Sequence, residues 1–207
     1  MAHDDTTQTD RLLGALGRGD ESALGELVRL HAPYLRKIIQ IRIHPELRSR
    51  VDLSDVEKET RIVIMKRINE FLENRPSSFK VWLRSRAIEQ LADEYRRHIA
   101  AAKRSVRREQ ANNDRSSIEI ARALVVENQT ERLYRKEVAE QVRRLIEELS
   151  DIDQEILTLR HVEGLTNIEA SEALSLPLET VRKRYGRALR RLVEKVTAAG
   201  LEHSISF

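Results

Sequence analysis

Seven basic residues follow Pro177 within one prospective helix: Arg182, Lys183, Arg184, Arg187, Arg190, Arg191 and Lys195. Only Glu179 and Glu194 oppose them over residues 178–196, a local balance of +5. Guanidinium forks at such positions can donate to guanine O6 and N7, and ammonium groups can neutralise phosphates. On the same stretch Leu178, Val181, Tyr185, Ala188 and Leu192 step at +3, +4, +3 and +4. That period puts one apolar face on a helix. Glu179, Thr180, Arg182, Lys183, Gly186 and Arg187 then lie away from it, near the helix start. Arg190, Arg191 and Lys195 come further along, better placed for phosphate.

The other reactive residue types do not assemble. The six histidines (His3, His31, His44, His98, His161 and His203) include no i,i+4 pair. There is no Gly-rich phosphate loop, no His-Glu-x-x-His and no Gly-x-Ser-x-Gly. Cysteine is absent, so disulfides and zinc–sulfur sites are excluded. The expectation is a binding protein rather than an enzyme, with no cofactor and no metal.

A basic helix reads duplex DNA only when a partner helix and a tight turn hold it. Thr166 with Glu169 three residues on is a capping-box signature for a short helix at Asn167–Leu174. Ala170 and Ser171 are small enough for the crossing, and Ser175-Leu176-Pro177 supplies the turn. Upstream, Glu131–Leu149 is amphipathic, and Ser150 or Asp151 caps a helix through Arg160 that Gly164 ends.

The N-terminal half is helical too. Asp20 suits an N-cap before Leu24, Leu27, Val28 and Leu30. Pro33 suits the first turn of a second helix, running to about Ile43, where His44-Pro45 stops it. Residues 52–72 read as a long helix capped by Asp52 or Ser54, with a core stripe of Val56, Thr60, Val63, Ile64, Ile68 and Phe71. Its second face carries Asp52, Asp55, Glu59, Ile62 and Lys66, and Ile62 is an apolar residue among charges. After the loop 74–79 a helix over 79–99 buries Val81, Ile88, Leu91, Ala92 and Tyr95, with Arg86, Gln90, Asp93 and Arg97 opposite. The single tryptophan, Trp82, sits one turn in and by type suits a core better than a nucleobase platform. The apolar run 118–126 has no clean period.

No strand signal occurs, so the expected class is all-α: two small helical domains joined by a linker. The expected bounds are a disordered N-terminus over 1–10, a domain over 11–110, a linker over 111–130, a domain over 131–200 and a tail over 201–207. The formal charge of the 207 residues is only +3. It is segregated: 80–110 holds nine basic against four acidic residues (+5), and 137–159 two against seven (−5). Segregation makes local basic surfaces. No apolar run approaches the roughly 20 residues that cross a bilayer. The polar, acidic start is unlike a signal peptide. The expected place is the cytoplasm, without membrane insertion.

These motifs resemble a known family. "LRHVEGLT" (159–166), "LPLETVRKR" (176–184) and "RALRRL" (187–192) resemble region 4 of the extracytoplasmic-function group of sigma-70-type initiation factors. "GDESALGELVRLHAPYLRKII" (19–39), "DLSDVEKETRIVIMKRINEF" (52–71) and "FKVWLRSRAIEQLADEYRRHIAAAKRSVRREQ" (79–110) resemble its region 2. The resemblance spans about 11–110 and 131–196, in family order. It implies a protein that binds core RNA polymerase and directs it to promoter DNA. By this resemblance Asp52, Asp55, Lys58, Glu59, Thr60 and Ile62 face the polymerase. Asn74, Ser77, Ser78, Trp82, Arg86, Gln90, Asp93 and Arg97 meet the −10 element. Glu179, Thr180, Arg182, Lys183, Arg184, Arg187 and Arg190 meet the −35 element. It further implies a monomer when free, with room for an anti-sigma factor as partner.

Four positions depart from the family pattern. Lys58 stands for Gln, Arg61 for Phe, Ser175 for a turn Gly and Glu179 for a common Gly. An acid at 179 weakens backbone binding yet can accept from cytosine N4. Two rival readings belong to other classes. One is a stand-alone helix-turn-helix regulator with a dimerising or sensing half, which needs two-fold half-sites. The other is a degenerate sigma acting only as an interaction module.

Overall fold

The structure, a computed structural model, describes residues 2–48, 50–100, 120 and 132–201. The chain divides into two compact units, residues 1–105 and 106–207. All regular structure among the described residues is helical. The expected linker over 111–130, Ile120 apart, and the tail beyond Leu201 lie outside the described residues.

Unit 1 holds α1 (Ala2–Gly17), α2 (Ser22–Arg42), α3 (Leu53–Asn74) and α4 (Phe79–Ala100), with a 3-10 turn at Pro45–Leu47. Helix α2 packs on the other three, and α3 packs on α4. Leu27, Ile38, Ile39, Ile43, Leu47, Ile64 and Leu83 are fully buried at the centre. Burying each such side chain contributes about 1.5–3 kcal/mol, which exceeds any local helix preference.

That excess corrects two expectations. Residues 2–10 are the first turns of α1, not a disordered lead. Leu12 and Leu13 anchor the helix, and buried Thr9 shares a 2.9 Å hydrogen bond with His31 Nε2 of α2. The expected break at Pro33 is also absent, for α2 runs straight through it. A mid-helix proline costs about 3 kcal/mol. Leu27 before it and Leu35, Ile38 and Ile39 after it enter one core, so breaking the helix would cost more. Asp20 does hold the start of α2. Its carboxylate accepts from Ser22 N and Ser22 Oγ at 3.1 and 2.6 Å, and the Ser22 hydroxyl is the main cause of its lowered pKa.

Helix α3 starts as expected, with Asp52 accepting from Ser54 N at 2.8 Å. It ends at Arg75, in the left-handed region at φ 37°. In the following loop Ser78 Oγ accepts from Val81 N at 3.3 Å and caps α4. The buried side of α4 is broader than its apolar stripe. Trp82, Leu83, Arg84, Ala87, Gln90 and Glu94 are buried along with Val81 and Leu91, while Ile88, Ala92 and Tyr95 are half-buried.

Unit 2 holds α5 (Arg132–Glu147), α6 (Asp151–Leu157), α7 (Asn167–Leu174) and α8 (Leu178–Ala198). Ser150 caps α6, accepting from Asp153 N at 3.4 Å. The helix then widens into a π-helical turn over Thr158–Val162, closed by Glu163 N donating to Thr158 O at 2.9 Å. Gly164, at φ 67°, ends it. Helices α5, α6 and α7 all pack on α8.

Candidate nucleic-acid interface

The geometry of unit 2 converges on α8. The capping box forms in full: Thr166 Oγ1 accepts from Glu169 N at 3.1 Å, and Glu169 accepts from Thr166 N at 2.8 Å. This fixes the start of α7. Ala170 is fully buried at the crossing, where its small side chain admits α8. The turn closes through Leu176 N donating to Ser171 O at 3.1 Å and Ser171 Oγ donating to Leu176 O at 2.6 Å. Val181, Ala188, Leu192 and Val196 are buried, and Leu178 and Tyr185 are half-buried.

The turn is made at a cost. Ser175, where a glycine would be at ease, takes φ 53° and ψ 39°. A left-handed L-residue loses about 1–2 kcal/mol, and glycine gives part of that back through its freer unfolded chain. Ser175 is exposed. Ser175→Gly is therefore expected to raise the stability of unit 2 by about 0.5–1 kcal/mol, read as a higher thermal midpoint with unchanged helix content.

Tyr185 locks α8 onto the π-helical turn. Its hydroxyl and His161 Nε2 lie 3.2 Å apart, the two rings stack at 5.8 Å, and the Arg160 guanidinium sits 5.3 Å from the Tyr185 ring. Burial, then the Arg160 charge, pushes the His161 pKa down, so the neutral imidazole is favoured here.

Of the expected −35 residues, Glu179, Arg182, Lys183, Arg187 and Arg190 are exposed, and Thr180 is half-buried. Arg191 and Gly186 share that open surface, and nothing lies within 4 Å of where a Gly186 side chain would begin. Arg184 is different. It turns inward and donates to buried Asp153 of α6 at 3.1 Å. Its spacing among arginines hid this partner 31 residues away. Lys195 pairs with Glu148, beside α5.

In unit 1, α3 presents Asp52, Asp55, Lys58 and Glu59 outward, with Lys58 donating to Asp55 at 2.9 Å. Ile62 is 49% exposed. Met65, one turn on, is 50% exposed, and the stepping pattern of charges passed over it. Thr60 does not belong with them. It is fully buried, and its hydroxyl donates to Val56 O at 2.7 Å, which lets a polar side chain sit in the core. Arg61 has a structural role. Together with Arg36, whose Nε lies 3.0 Å from Oε2, it holds buried Glu57. Burial pushes the Glu57 pKa up, but the two guanidiniums outweigh it and the result is lowered.

The expected −10 residues divide as well. Asn74 is exposed, donating to Glu70 O at 3.0 Å, and Ser77 and Ser78 are half-buried. Trp82 is 6% exposed and lies 5.2 Å from Phe71 and 5.7 Å from Phe79, so it is a core residue. Gln90 is buried and donates to Glu59 at 2.7 Å. Arg97 reaches the same carboxylate at 3.5 Å and Glu94 at 3.0 Å. Arg86 donates to Glu89 at 2.5 Å, and Asp93 pairs with Arg96. Glu59 of the α3 surface is thus tied to Gln90 and Arg97 of α4.

Among the described residues no group of side chains could hold a metal, and no helix is long and apolar enough to cross a membrane.

A short capped helix, a tight turn and a second helix with one buried and one basic face define a DNA-binding helix-turn-helix. Residues 139–192, from α5 to most of α8, match the family model described as sigma-70, region 4. The solved structure of CnrH in complex with the cytosolic domain of CnrY is similar in fold, with a TM-score of 0.52 at 22% identity, covering 92% of this chain and 98% of that one. No curated protein matches the chain. Residues 139–192 thus resemble region 4 of the sigma-70 family, and the likeness to the solved structure is one of all-helical fold.

Proposed function

We propose that this protein is an alternative sigma factor that binds core RNA polymerase and selects promoters by their −10 and −35 elements. The observation that carries the reading is α8: Val181, Ala188 and Leu192 buried, and Arg182, Lys183, Arg187 and Arg190 open to solvent within the span matched to region 4. Basic side chains near the start of the second helix suit base edges, and those further along suit phosphate. In unit 1, Asp52, Asp55, Lys58, Glu59 and Ile62 would meet the polymerase. The 74–78 loop with Arg86, Asp93 and Arg97 would meet the −10 element, where captured bases hold the strands apart. The work is binding throughout, without catalysis, and it would take place in the cytoplasm. CnrH was solved with the cytosolic domain of CnrY. An anti-sigma factor playing the corresponding part for this chain belongs to the same reading.

The test is transcription in vitro with core polymerase on a promoter library. Arg187→Ala is expected to cut promoter-specific starts about 5- to 100-fold if the side chain reads a base. If it neutralises a phosphate, the loss is smaller and the salt slope falls by about 0.9. Arg184→Ala is the internal contrast: it should lower the melting temperature of unit 2 and leave the salt slope unchanged. A library that yields no promoter-specific transcripts with the wild-type chain would sink the reading.

A further inference from the structure

Glu179 and Arg182 stand one turn apart on the open face of α8 and are joined, Arg182 Nη1 donating to Glu179 Oε1 at 2.9 Å. Their side chains are 69% and 52% exposed, so the pair adds little to stability. What it does is hold a carboxylate, which only accepts, beside a guanidinium, which only donates. Facing phosphates, the carboxylate costs affinity on every sequence. It gains only where it finds a donor, and in the major groove donors are found on base edges.

One base-pair edge is the complement of this pair. A C·G pair shows the cytosine N4 amino group, a donor, beside guanine O6 and N7, both acceptors. An A·T pair fits worse. The adenine N6 donor lies beside N7 of the same base, whose lone pair repels a carboxylate, and thymine offers the guanidinium one acceptor next to a methyl group. Resting on the reading of unit 2 as the −35 reader, we propose that Glu179 and Arg182 together read a single C·G pair. Glu179 accepts from cytosine N4, and Arg182 donates to O6 and N7 of the guanine paired with it. The two side chains keep their own ion pair while doing so. Lys183 and Arg187, exposed nearby, supply the positive charge that offsets Glu179 against the backbone.

The test uses holoenzyme assembled from the full chain and core polymerase, selecting from promoters randomised across the −35 element. The wild type is expected to fix a C·G pair at one position. Glu179→Gln should turn that one position toward A·T by about tenfold, because glutamine pairs with adenine N6 and N7. Arg182→Ala should weaken the preference at the same position, again about tenfold. A motif untouched by Glu179→Gln overturns the proposal. So does an Arg182→Ala effect confined to a different position, which would make the two residues independent readers. A wild-type holoenzyme that selects no −35 sequence at all removes the sigma reading itself. A −35 motif without such a C·G pair removes only the paired reading.

Discussion

Trp82→Ala is expected to lower the unfolding free energy of unit 1 by about 3–5 kcal/mol, a large part of what a small domain has. The indole packs against both Phe71 and Phe79, with ring centroids at 5.2 and 5.7 Å, and the Arg86 guanidinium lies 5.8 Å from it. Phe71 and Phe79 themselves meet edge to face at 5.2 Å. Removing the largest of the three rings leaves a cavity between α3 and α4. Trp82→Phe keeps a ring in the stack and should cost roughly half as much or less, since a smaller aromatic still fills most of the space. Urea unfolding followed by circular dichroism measures both, because Trp82 is the only tryptophan and its replacement removes the fluorescent probe. If Trp82 were instead a platform for an unstacked base, the alanine variant would melt like the wild type and fail only in promoter opening. That outcome would overturn its place in the core.

Trp82 also shows what the sequence makes legible and what it leaves out. Features set by neighbours three or four residues apart were readable. Thr166 and Glu169 spell a capping box and form one. Asp52 caps α3, and the +4, +3, +4 stepping of Val181, Tyr185, Ala188 and Leu192 gives the packed face of α8. Features set by distant partners were not. The helix over 2–10 depends on Leu12, Leu13 and the bond from Thr9 to His31, none of which shows in a polar decapeptide. Pro33 reads as a helix start because the packing of both halves of α2 on one core has no local signature. Gln90 and Arg184 look like surface residues by type and spacing. Each bonds a carboxylate far along the chain, Gln90 the exposed Glu59 and Arg184 the buried Asp153. The family resemblance carried Thr60 onto the polymerase-facing surface, while the physics of a threonine that bonds its own helix backbone buries it.

Ile62→Glu is expected to weaken binding to core polymerase by about 30- to 1,000-fold while leaving the fold intact. The size follows from the ΔΔG of 2–4 kcal/mol typical of a central apolar anchor replaced by a charge. The intact fold follows from exposure: with half its surface already in water, Ile62 takes little part in the core, and substitution at such a site usually changes stability by under about 0.5 kcal/mol. Met65 lies one turn further along α3 and is equally open. The two form an apolar step flanked by Lys58, Glu59 and Lys66, the make-up of an anchor within a polar rim. Met65→Glu should therefore weaken the same interaction, and the double variant should lose less than the sum of the two, because neighbours in one contact are not additive. Lys58→Ala, by contrast, removes only an exposed charge already paired with Asp55, and its effect should show in the association rate and fade with salt. Titration of labelled core polymerase with the full chain at two ionic strengths separates these cases. Unit 2 serves as the internal control: duplex DNA binding by the Ile62→Glu chain should match the wild type, so a loss of both activities would point to misfolding. Unchanged polymerase affinity in a folded Ile62→Glu chain would instead show that the exposed step on α3 is ordinary surface.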